Sequence, residues 1–403
     1  MERSLSRKRT AILLTGVLHY LCLGLMYSWS KFAGQIRLEM GFDHAGVTYA
    51  YSICMAMFTT GILIDGVISK KLSSRACVTL GACMAAFGYG ATSLVPVQLS
   101  WLIYPAYGIC VGFGIGMMYN EWLNNVIQWF PDRSGMASGL LLLGMGLSGV
   151  TTTPAMAVLA QNLGWRLSFR VICVLMLSVG LLSRWAIRSA PAGLPAAPVR
   201  KTENGAELST AQMVRQSCFW TFAFWKLILI GLGQACSGQI AQILADTGGS
   251  EGAQLAAVSL FMTLNGFARL LWGWCCDRLG RCNTMYLVAA CSAGGTGLLA
   301  FGSGSLVLVF MALIFLSLSY GGAAILGANY IAGVFGRKHY RLNNGVSAST
   351  CLPVNLGATA LIGMVRDSAG SYTPFFTIAF PAALLTFVLT YASEKLSHRL
   401  KAS

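Results

Sequence analysis

The sequence predicts an all-α polytopic membrane protein, and three observations support that prediction. Only 10% of the 403 residues are charged, whereas an ordinary soluble domain is about 25% charged. The mean hydropathy is +0.65, and the apolar residues come in blocks of about 20 or more, the length that a helix needs to cross a bilayer core. These blocks are too long and too uniformly apolar for barrel strands, so a helical bundle is expected.

Twelve apolar spans follow one another along the chain. Their approximate limits are 11–34, 46–68, 76–95, 99–128, 134–160, 167–188, 218–244, 253–276, 283–303, 305–333, 344–365 and 373–393. The basic residues before the first span resemble the start of a signal peptide. That span exceeds the roughly 7–15 residues of a signal-peptide core and lacks a clear small-residue cleavage site, so an uncleaved first transmembrane helix is expected.

The longest polar gap, residues 188–217, separates six spans from six. It reads RSAPAGLPAAPVRKTENGAELSTAQMVRQS, and its prolines, small residues and mixed charge are typical of a flexible linker. The predicted organisation is an N-terminal six-helix bundle over 1–188, a cytoplasmic linker over 189–217 and a C-terminal six-helix bundle over 218–403.

The basic residues predict the orientation of the chain in the membrane. If the amino terminus lies in the cytoplasm, most of the 28 lysines and arginines fall in cytoplasmic segments, as the positive-inside rule requires. A multi-pass protein of the cytoplasmic membrane with both termini inside is therefore expected. The same rule accounts for the net charge of +15 without nucleic acid, for which no aromatic-basic stripe appears.

Neither a cofactor nor a metal is expected. Most of the 13 cysteines lie within apolar spans, where cysteine acts as a small hydrophobe, and the pair Cys275 and Cys276 lacks partners at zinc-like spacing. The four histidines are spread over separate segments with no companion motif, which argues against an enzyme. Glycine runs such as GICVGFGIG lack the preceding strand of a nucleotide-binding loop and are expected to let helices pack closely.

The two halves carry a weak internal repeat. Gly61 and Asp65 end span two, and Gly273 and Asp277 end span eight, in each case followed by bases. The loop WFPDRSGMASG between spans four and five has its counterpart in VFGRKHYRLNNGVSAS between spans ten and eleven. Short cytoplasmic loops resemble one another in any case, but two matches in the same order favour a transporter built from repeats.

With these features the chain resembles the major facilitator superfamily, and within it the oxalate/formate antiporter and monocarboxylate transporter branch. Four stretches support the resemblance: YSWSKF, YNEWLNNVIQWFPDRSGMASGL, NGFARLLWGWCCDRLGR and GMVRDSAGSYTPFF. The resemblance implies a monomeric secondary transporter of small organic anions. It also implies alternating access, in which two six-helix bundles rock around a central site.

Arg269 is the leading candidate for substrate binding. It lies eight residues before Asp277, about 12 Å from the predicted cytoplasmic end of its helix. A charge at that depth costs about 2.5 kcal/mol or more unless it is paired or faces water. Arg269 either locks helices through a salt bridge or holds a carboxylate through two N–H bonds. The branch carries its substrate-binding arginine at this point, and its proton-coupled members place an aspartate where this chain has Asn265.

Glu121 in span four and Lys226 in span seven are further ionisable residues inside apolar spans. Glu121 is predicted at a depth close to that of Arg269, as a partner of Arg269 or Lys226 or as a proton carrier. Lys226 either snorkels to the cytoplasmic face or supplies a second cation. The resemblance implies that oxalate carriers add a lysine near position 351, which is Cys351 here. A monocarboxylate is therefore preferred over a dicarboxylate, unless Lys226 balances the second charge.

Polar residues of the cavity-lining spans complete the predicted substrate site. Tyr119 and Asn120 match a Tyr/Asn pair that the branch uses in span four and are predicted to orient the carboxylate. Tyr27, Asn265 and Tyr320 are further candidates, although interhelical hydrogen bonding explains such residues equally well.

The repeated acids predict a gate at the cytoplasmic side. Asp65 and Asp277 stand where the superfamily forms this gate, and they are expected to pair with bases such as Arg75 or Arg133 in the outward-open state. The alternative is that these acids only anchor the loops.

Several hypotheses of function stay open. The preferred cargo is a monocarboxylate, moved by uniport, proton symport or exchange. A dicarboxylate or formate exchanger is one alternative, and a carrier of drugs or cations is another, which Glu121 permits and Arg269 opposes. The expected partners are the small organic anion and the lipid bilayer, with protons as an open coupling ion.

Overall fold

The computed structural model describes residues 2–42, 44–69, 71–191, 207–302 and 304–402, and these residues are almost entirely helical. The α-helices are α1 (Glu2–Leu23), α2 (Trp29–Met40), α3 (His44–Ile68), α4 (Ser74–Leu94), α5 (Gly112–Trp129), α6 (Ser134–Leu147), α7 (Thr152–Leu163), α8 (Trp165–Ala186), α9 (Thr210–Val214), α10 (Ser217–Ser237), α11 (Ile240–Asp246), α12 (Glu251–Leu279), α13 (Arg281–Phe301), α14 (Leu306–Phe335), α15 (Tyr340–Ser349), α16 (Leu352–Ala369) and α17 (Thr373–Ala402). Two 3₁₀ segments (Gly24–Ser28 and Val97–Leu102) and one π-helical segment (Tyr104–Val111) lie between them.

Within the described ranges, twelve helical stretches are long and apolar enough to cross a membrane. They are Arg7–Ser28, Tyr49–Ile68, Ser74–Leu94, Val97–Trp129, Ser134–Leu163, Trp165–Ala186, Ser217–Ser237, Gly252–Leu279, Arg281–Phe301, Leu306–Phe335, Tyr340–Arg366 and Thr373–Leu400. The predicted all-α fold with twelve spans is therefore confirmed. Spans one, four, five and eleven each contain more than one helical segment, because bends or tighter turns interrupt them.

The helix α12, which forms span eight, has a defined start and end. The side chain of Ser250 accepts a hydrogen bond from the backbone N–H of Ala253 and so caps the first turn. At the other end Gly280 has φ +85°, a conformation that side-chain-bearing residues rarely adopt, and α13 begins at once. These two signals fix the length of the helix that carries Arg269.

The helices form two compact units, and the first unit is discontinuous in sequence. It comprises Met1–Pro198 and Tyr340–Ser349, while the second comprises Val199–His339 and Thr350–Ser403. Span eleven is therefore divided, because α15 packs against α3 and α5 of the first unit. The sequence had placed the whole of span eleven in the second bundle. Residues 192–206 of the predicted linker lie outside the described residues.

In the first unit, glycines bring the backbones of α3 and α5 together. A Cβ atom placed on Gly116 would lie 2.0 Å from the carbonyl oxygen of Phe58, and one on Gly112 would lie 2.2 Å from that of Cys54. From the other side, a Cβ on Gly61 would lie 2.3 Å from the carbonyl oxygen of Phe113. The run GICVGFGIG thus serves close helix packing, as the sequence predicts.

Replacing Gly116 with alanine is expected to lower the free energy of unfolding by about 1–3 kcal/mol, the usual effect of overpacking. The added methyl group would meet a backbone carbonyl, which moves less readily than a side chain. Gly34→Ala is the matched control, since nothing lies within 4 Å of a Cβ atom there. Melting curves of both variants in the same detergent test the prediction, and equal melting temperatures would contradict it.

Glu39, which follows span one, links that span to the start of span six. Its carboxylate accepts hydrogen bonds from Trp165 Nε1 at 2.6 Å and from Arg166 Nε at 2.7 Å. Partial burial opposes ionisation, but these two donors outweigh it and hold the pKa of Glu39 below its usual value. The ionised carboxylate therefore stabilises the contact between α2 and α8.

A buried ion pair links helices of the second unit. Arg281 Nη2 lies 3.0 Å from Glu394 Oε2, which ties α13 to α17. The Arg281 guanidinium also lies 4.9 Å above the ring of Tyr330, and that ring stacks on Phe222 with centroids 3.8 Å apart. The arginine that follows the repeated Asp motif therefore has a structural role in this unit.

Candidate functional site

The first unit contains a buried group of four side chains, Asp65, Cys77, Glu121 and Arg341, which we call the charge cluster. Asp65 and Glu121 have no exposed surface. Arg341 Nη2 lies 3.1 Å from Asp65 Oδ1 and also pairs with Glu121 Oε2. One guanidinium from α15 thus pairs with two carboxylates, from α3 and α5, while Cys77 of α4 lies beside all three.

Two asparagines connect the charge cluster to its surroundings. Asn120 Nδ2 donates to Asp65 Oδ2 at 3.0 Å and to the Arg341 carbonyl at 3.2 Å. Its Oδ1 accepts from Asn344 Nδ2 at 3.0 Å. The amide of Asn120 therefore bridges three helices, and α15 is held by neutral hydrogen bonds as well as by charge.

The backbone of α15 lies directly against that of α3. A Cβ atom on Gly66 would lie 2.5 Å from the Cα of Leu342, and one on Gly345 would lie 2.7 Å from the Cα of Leu63. The absence of side chains at both glycines allows Arg341 to reach the two buried carboxylates. These glycines, one in each helix, are therefore part of what builds the charge cluster.

The base that pairs with Asp65 is Arg341, whereas Arg75 and Arg133 had been predicted. Arg75 Nε instead donates, at 3.2 Å, to the carbonyl oxygen of Ile187, which follows α8. The side chain of Arg133 is 71% exposed. Asp277, the counterpart of Asp65 in the repeat, is exposed in the second unit, so the two acids of the repeat stand in different surroundings.

Glu121 also has a different partner from the predicted one. The sequence placed it opposite Arg269 or Lys226, but both of those residues belong to the second unit. The pairing with Arg341 follows from the inclusion of α15 in the first unit. Glu121 Oε1 is buried and makes no hydrogen bond of good geometry in the described part of the chain, while the Ser74 side chain lies near the carboxylate.

The other polar residues predicted in the first unit lie in separate surroundings. Tyr119 is half-buried, its ring centroid lies 5.2 Å from that of Phe58, and its carbonyl oxygen accepts a hydrogen bond from the Tyr20 hydroxyl at 2.5 Å. Tyr27 is 41% exposed in the 3₁₀ segment of span one. Of the predicted pair, Asn120 thus joins the charge cluster, while Tyr119 packs among aromatic rings.

In the second unit, Arg269 lies in the interior of α12, ten residues before its end at Leu279 and hence about 15 Å along the helix from that end. Three exposed apolar residues of α12, Phe267, Leu271 and Trp274, lie roughly 140–200° around the helix from Arg269 at about 100° per residue. Met262 is also exposed, but it lies only about 20° from Arg269. Arg269, which is half-buried, is therefore on the side of α12 opposite the first three residues and near that of Met262.

Contacts with α14 fix the rotation of α12. Asn265 is buried, and a Cβ atom on Gly321 would lie 2.6 Å from its carbonyl oxygen. About two turns further on, Trp272 Nε1 donates to the Leu318 carbonyl at 2.9 Å. Asn265 thus belongs to the α12–α14 contact, and this contact sets the direction in which Arg269 points.

Lys226 is buried inside the second unit, with 6% of its surface exposed. A Cβ atom on Gly327 of α14 would lie 3.4 Å from its Cδ, and Cys351, which precedes α16, is close enough to interact with it electrostatically. The same two helices, α10 and α14, are also joined by a hydrogen bond that the Tyr320 hydroxyl donates to Gln234 Oε1 at 2.7 Å. The burial of Lys226 disfavours snorkelling.

Sequence reasoning missed three members of this arrangement, Arg341, Asn344 and Cys77. Arg341 was counted only among the bases that set topology. A usable signal was present, because Asn344 and Gly345 lie three and four residues after Arg341 and so share its face of the helix. A basic, a polar and a small residue on one helix face at the start of an apolar span indicate a buried polar contact.

Comparisons of the sequence identify related proteins. The profile described as "Major Facilitator Superfamily" matches residues 12–238. The oxalate:formate antiporter of Oxalobacter formigenes is 23% identical over 390 residues, covering 94% of this chain and 91% of that protein. Human monocarboxylate transporter 11 is 24% identical over 370 residues, covering 88% of this chain and 77% of that protein.

Solved structures show the same fold. A proton:xylose symporter bound to 6-bromo-6-deoxy-D-glucose superposes with a TM-score of 0.75 at 13% identity, covering 96% of each chain. The human organic anion transporter MFSD10 gives a TM-score of 0.71 at 14% identity, covering 96% of this chain and 99% of its own. At such low identity the likeness concerns the fold alone.

Proposed function

The chain belongs to the major facilitator superfamily of membrane transporters, and on that premise we propose that it carries small monocarboxylates by alternating access. Its place is the cytoplasmic membrane, with both termini inside, as the distribution of bases predicts. The observation that carries the proposal is Arg269, a half-buried guanidinium in the interior of a membrane span, on the side of α12 opposite Phe267, Leu271 and Trp274. Relatives named for oxalate, formate and monocarboxylates support an anionic cargo.

Arg269 suits a carboxylate for two physical reasons. A charge within a membrane span raises the free energy of the folded protein unless a counter-charge or water compensates it. An arginine there is therefore a functional candidate by default. Its planar guanidinium offers paired N–H groups that match the two oxygens of a carboxylate. The anion would thereby bind to Arg269 through both of its carboxylate oxygens.

The charge cluster supplies a gate for the proposed cycle. Helix α15 packs on the first unit through Arg341, and the chain continues from it into α16 of the second unit. Movement of the second unit during transport would therefore act directly on α15. Glu121 supports this gate through its pairing with Arg341. In this proposal Glu121 therefore has no direct role at Arg269.

A counterflow experiment tests the proposed cargo. Purified protein in liposomes is loaded with lactate, formate, oxalate or a lipophilic cation, with and without a pH gradient. We expect exchange of lactate or formate, and acceleration by the pH gradient only if protons are coupled. Counterflow of the cation without that of any carboxylate would contradict the proposal.

A dicarboxylate is the second candidate, because Lys226 is buried in the same unit as Arg269. Two cations would balance a dianion in a site of low dielectric constant. Replacing Lys226 with glutamine is then expected to lower oxalate counterflow by about tenfold or more, since a buried charge-assisted hydrogen bond contributes about 1.5–3 kcal/mol. Formate counterflow should change by less than about twofold.

The control for this comparison is Lys31→Gln, which removes an exposed lysine of α2. It should leave both fluxes unchanged. An equal loss of oxalate and formate transport in Lys226→Gln would argue for a structural role of Lys226 and against the dicarboxylate.

A further inference from the structure

We propose that Asp65, Cys77 and Glu121 form a binding site for a thiophilic divalent cation such as Zn²⁺, which replaces the Arg341 guanidinium when α15 withdraws from the first unit. These are the only three such side chains in the described residues whose potential ligand atoms converge, all within 4.8 Å of one another. Each comes from a different helix, so the positions are set by packing. Arg341 and the metal are alternative occupants of one place.

The geometry is close to that of a zinc site with three protein ligands. Zinc binds thiolate sulfur at about 2.3 Å and carboxylate oxygen at about 2.0–2.2 Å, which places tetrahedral ligands roughly 3.3–3.8 Å apart. The three ligand atoms thus need to approach one another by about 1–1.5 Å at most. A water molecule would complete the tetrahedron, as it does in other sites with three protein ligands.

A second observation points to an unfilled ligand position. Glu121 is fully buried and its Oε2 pairs with Arg341, yet its Oε1 makes no hydrogen bond of good geometry among the described residues, although Ser74 lies near the carboxylate. Buried polar atoms without a partner are rare in native structures. The carboxylate therefore retains acceptor capacity inside the charge cluster.

The exchange of Arg341 for zinc conserves charge. If both carboxylates are ionised, they carry a net charge of minus one together with a neutral thiol and one guanidinium. When Zn²⁺ binds, the Cys77 thiol releases its proton to solvent as the zinc–sulfur bond forms, and Arg341 leaves with its positive charge. Two carboxylates, one thiolate and Zn²⁺ again carry a net charge of minus one, so the exchange leaves the net charge of the buried site unchanged. No atom changes its oxidation state.

When Arg341 withdraws, the two carboxylates lose the cation that pairs with them, and a metal ion can take its place. Removing one partner of a buried ion pair leaves an uncompensated charge that is strongly destabilising, and here two carboxylates would face each other. Thiolate and carboxylate ligands together favour Zn²⁺ over Mg²⁺ or Ca²⁺. On the proposed transport cycle, the bound metal would keep α15 from returning and would thereby stop transport.

The test uses Co²⁺, which reports a thiolate ligand by a charge-transfer absorption band, bound to the full-length Arg341→Ala protein in detergent. We expect one Co²⁺ per chain, a band that Zn²⁺ abolishes by competition, and loss of the band when Cys77→Ser is added. Cys83→Ser, an exposed cysteine of the same helix, is the matched control and should keep the band. The wild type should need at least about tenfold more Co²⁺, because Arg341 occupies the site in most molecules.

Absence of a Cys77-dependent band in monodisperse Arg341→Ala protein would overturn the proposal. If that variant does not fold, Arg341→Gln, which keeps more of the side-chain volume, takes its place. In the wild type, Zn²⁺ should slow alkylation of Cys77 during transport and leave that of Cys83 unchanged, and equal rates with and without Zn²⁺ would also count against the site. None of these results depends on which anion is carried, so failure here leaves the proposed cargo untouched.

Discussion

Replacing Arg269 with alanine is expected to reduce carboxylate uptake by about 30-fold or more. Truncating one partner of a buried, hydrogen-bonded charge pair costs about 2 kcal/mol at the least, and about 1.4 kcal/mol corresponds to a factor of ten. The loss should appear in both the affinity and the maximal rate, because the arginine is proposed to hold the substrate throughout the passage. Initial rates of labelled lactate or formate uptake into liposomes give the measurement.

Two further variants make this result specific. Arg269→Lys keeps the charge but loses the paired N–H geometry, so intermediate activity is expected. Arg278→Ala removes an exposed arginine of the same helix and should transport normally. Near-normal uptake by Arg269→Ala would refute the assignment of the anion site.

Replacing Arg341 with alanine is expected to expose Cys77. The variant leaves two buried carboxylates without their cation, which costs about 3 kcal/mol or more, so α15 should dissociate from α3 and α5 more often. Cys77 is fully buried in the native protein. Its alkylation by a small maleimide, followed by mass spectrometry of that site, should accelerate by about 100-fold.

A double variant and a control identify the cause. Adding Glu121→Gln to Arg341→Ala removes one of the stranded charges and should restore part of the protection, since removing both partners costs less than removing one. Arg184→Ala, an exposed arginine of α8, should leave the alkylation rate unchanged. Unaltered protection of Cys77 in Arg341→Ala would show that charge does not hold α15 in place.

Most of the fold is predictable from the sequence because the bilayer imposes strict requirements. A span must be about 20 apolar residues long and helical, and all twelve spans are recognisable on that basis. The division of span eleven is not, since Tyr340–Ser349 is followed at once by more apolar helix. Only tertiary contacts assign α15 to the first unit, among them the close approach of Gly66 to Leu342 and of Gly345 to Leu63.

The candidate site is less predictable, because depth along a helix does not identify a partner. The depth of Glu121 is compatible with Arg269, Lys226 or Arg341, and the structure pairs it with Arg341. By contrast, the positions of Arg269 and Asp65 as charges within spans are evident in the sequence, since few other residues there are ionisable. Sequence periodicity shows which residues are unusual, and packing decides which of them meet.

The division of span eleven also affects how the protein is made. Asp65 and Glu121 are synthesised before the arginine that pairs with them, which follows the tenth span. Until the ribosome has added the segment that carries Arg341, the first six spans hold two carboxylates in an apolar interior without their cation, a condition that favours protonated or hydrated acids. The charge cluster can therefore form only after four spans of the second unit have been translated.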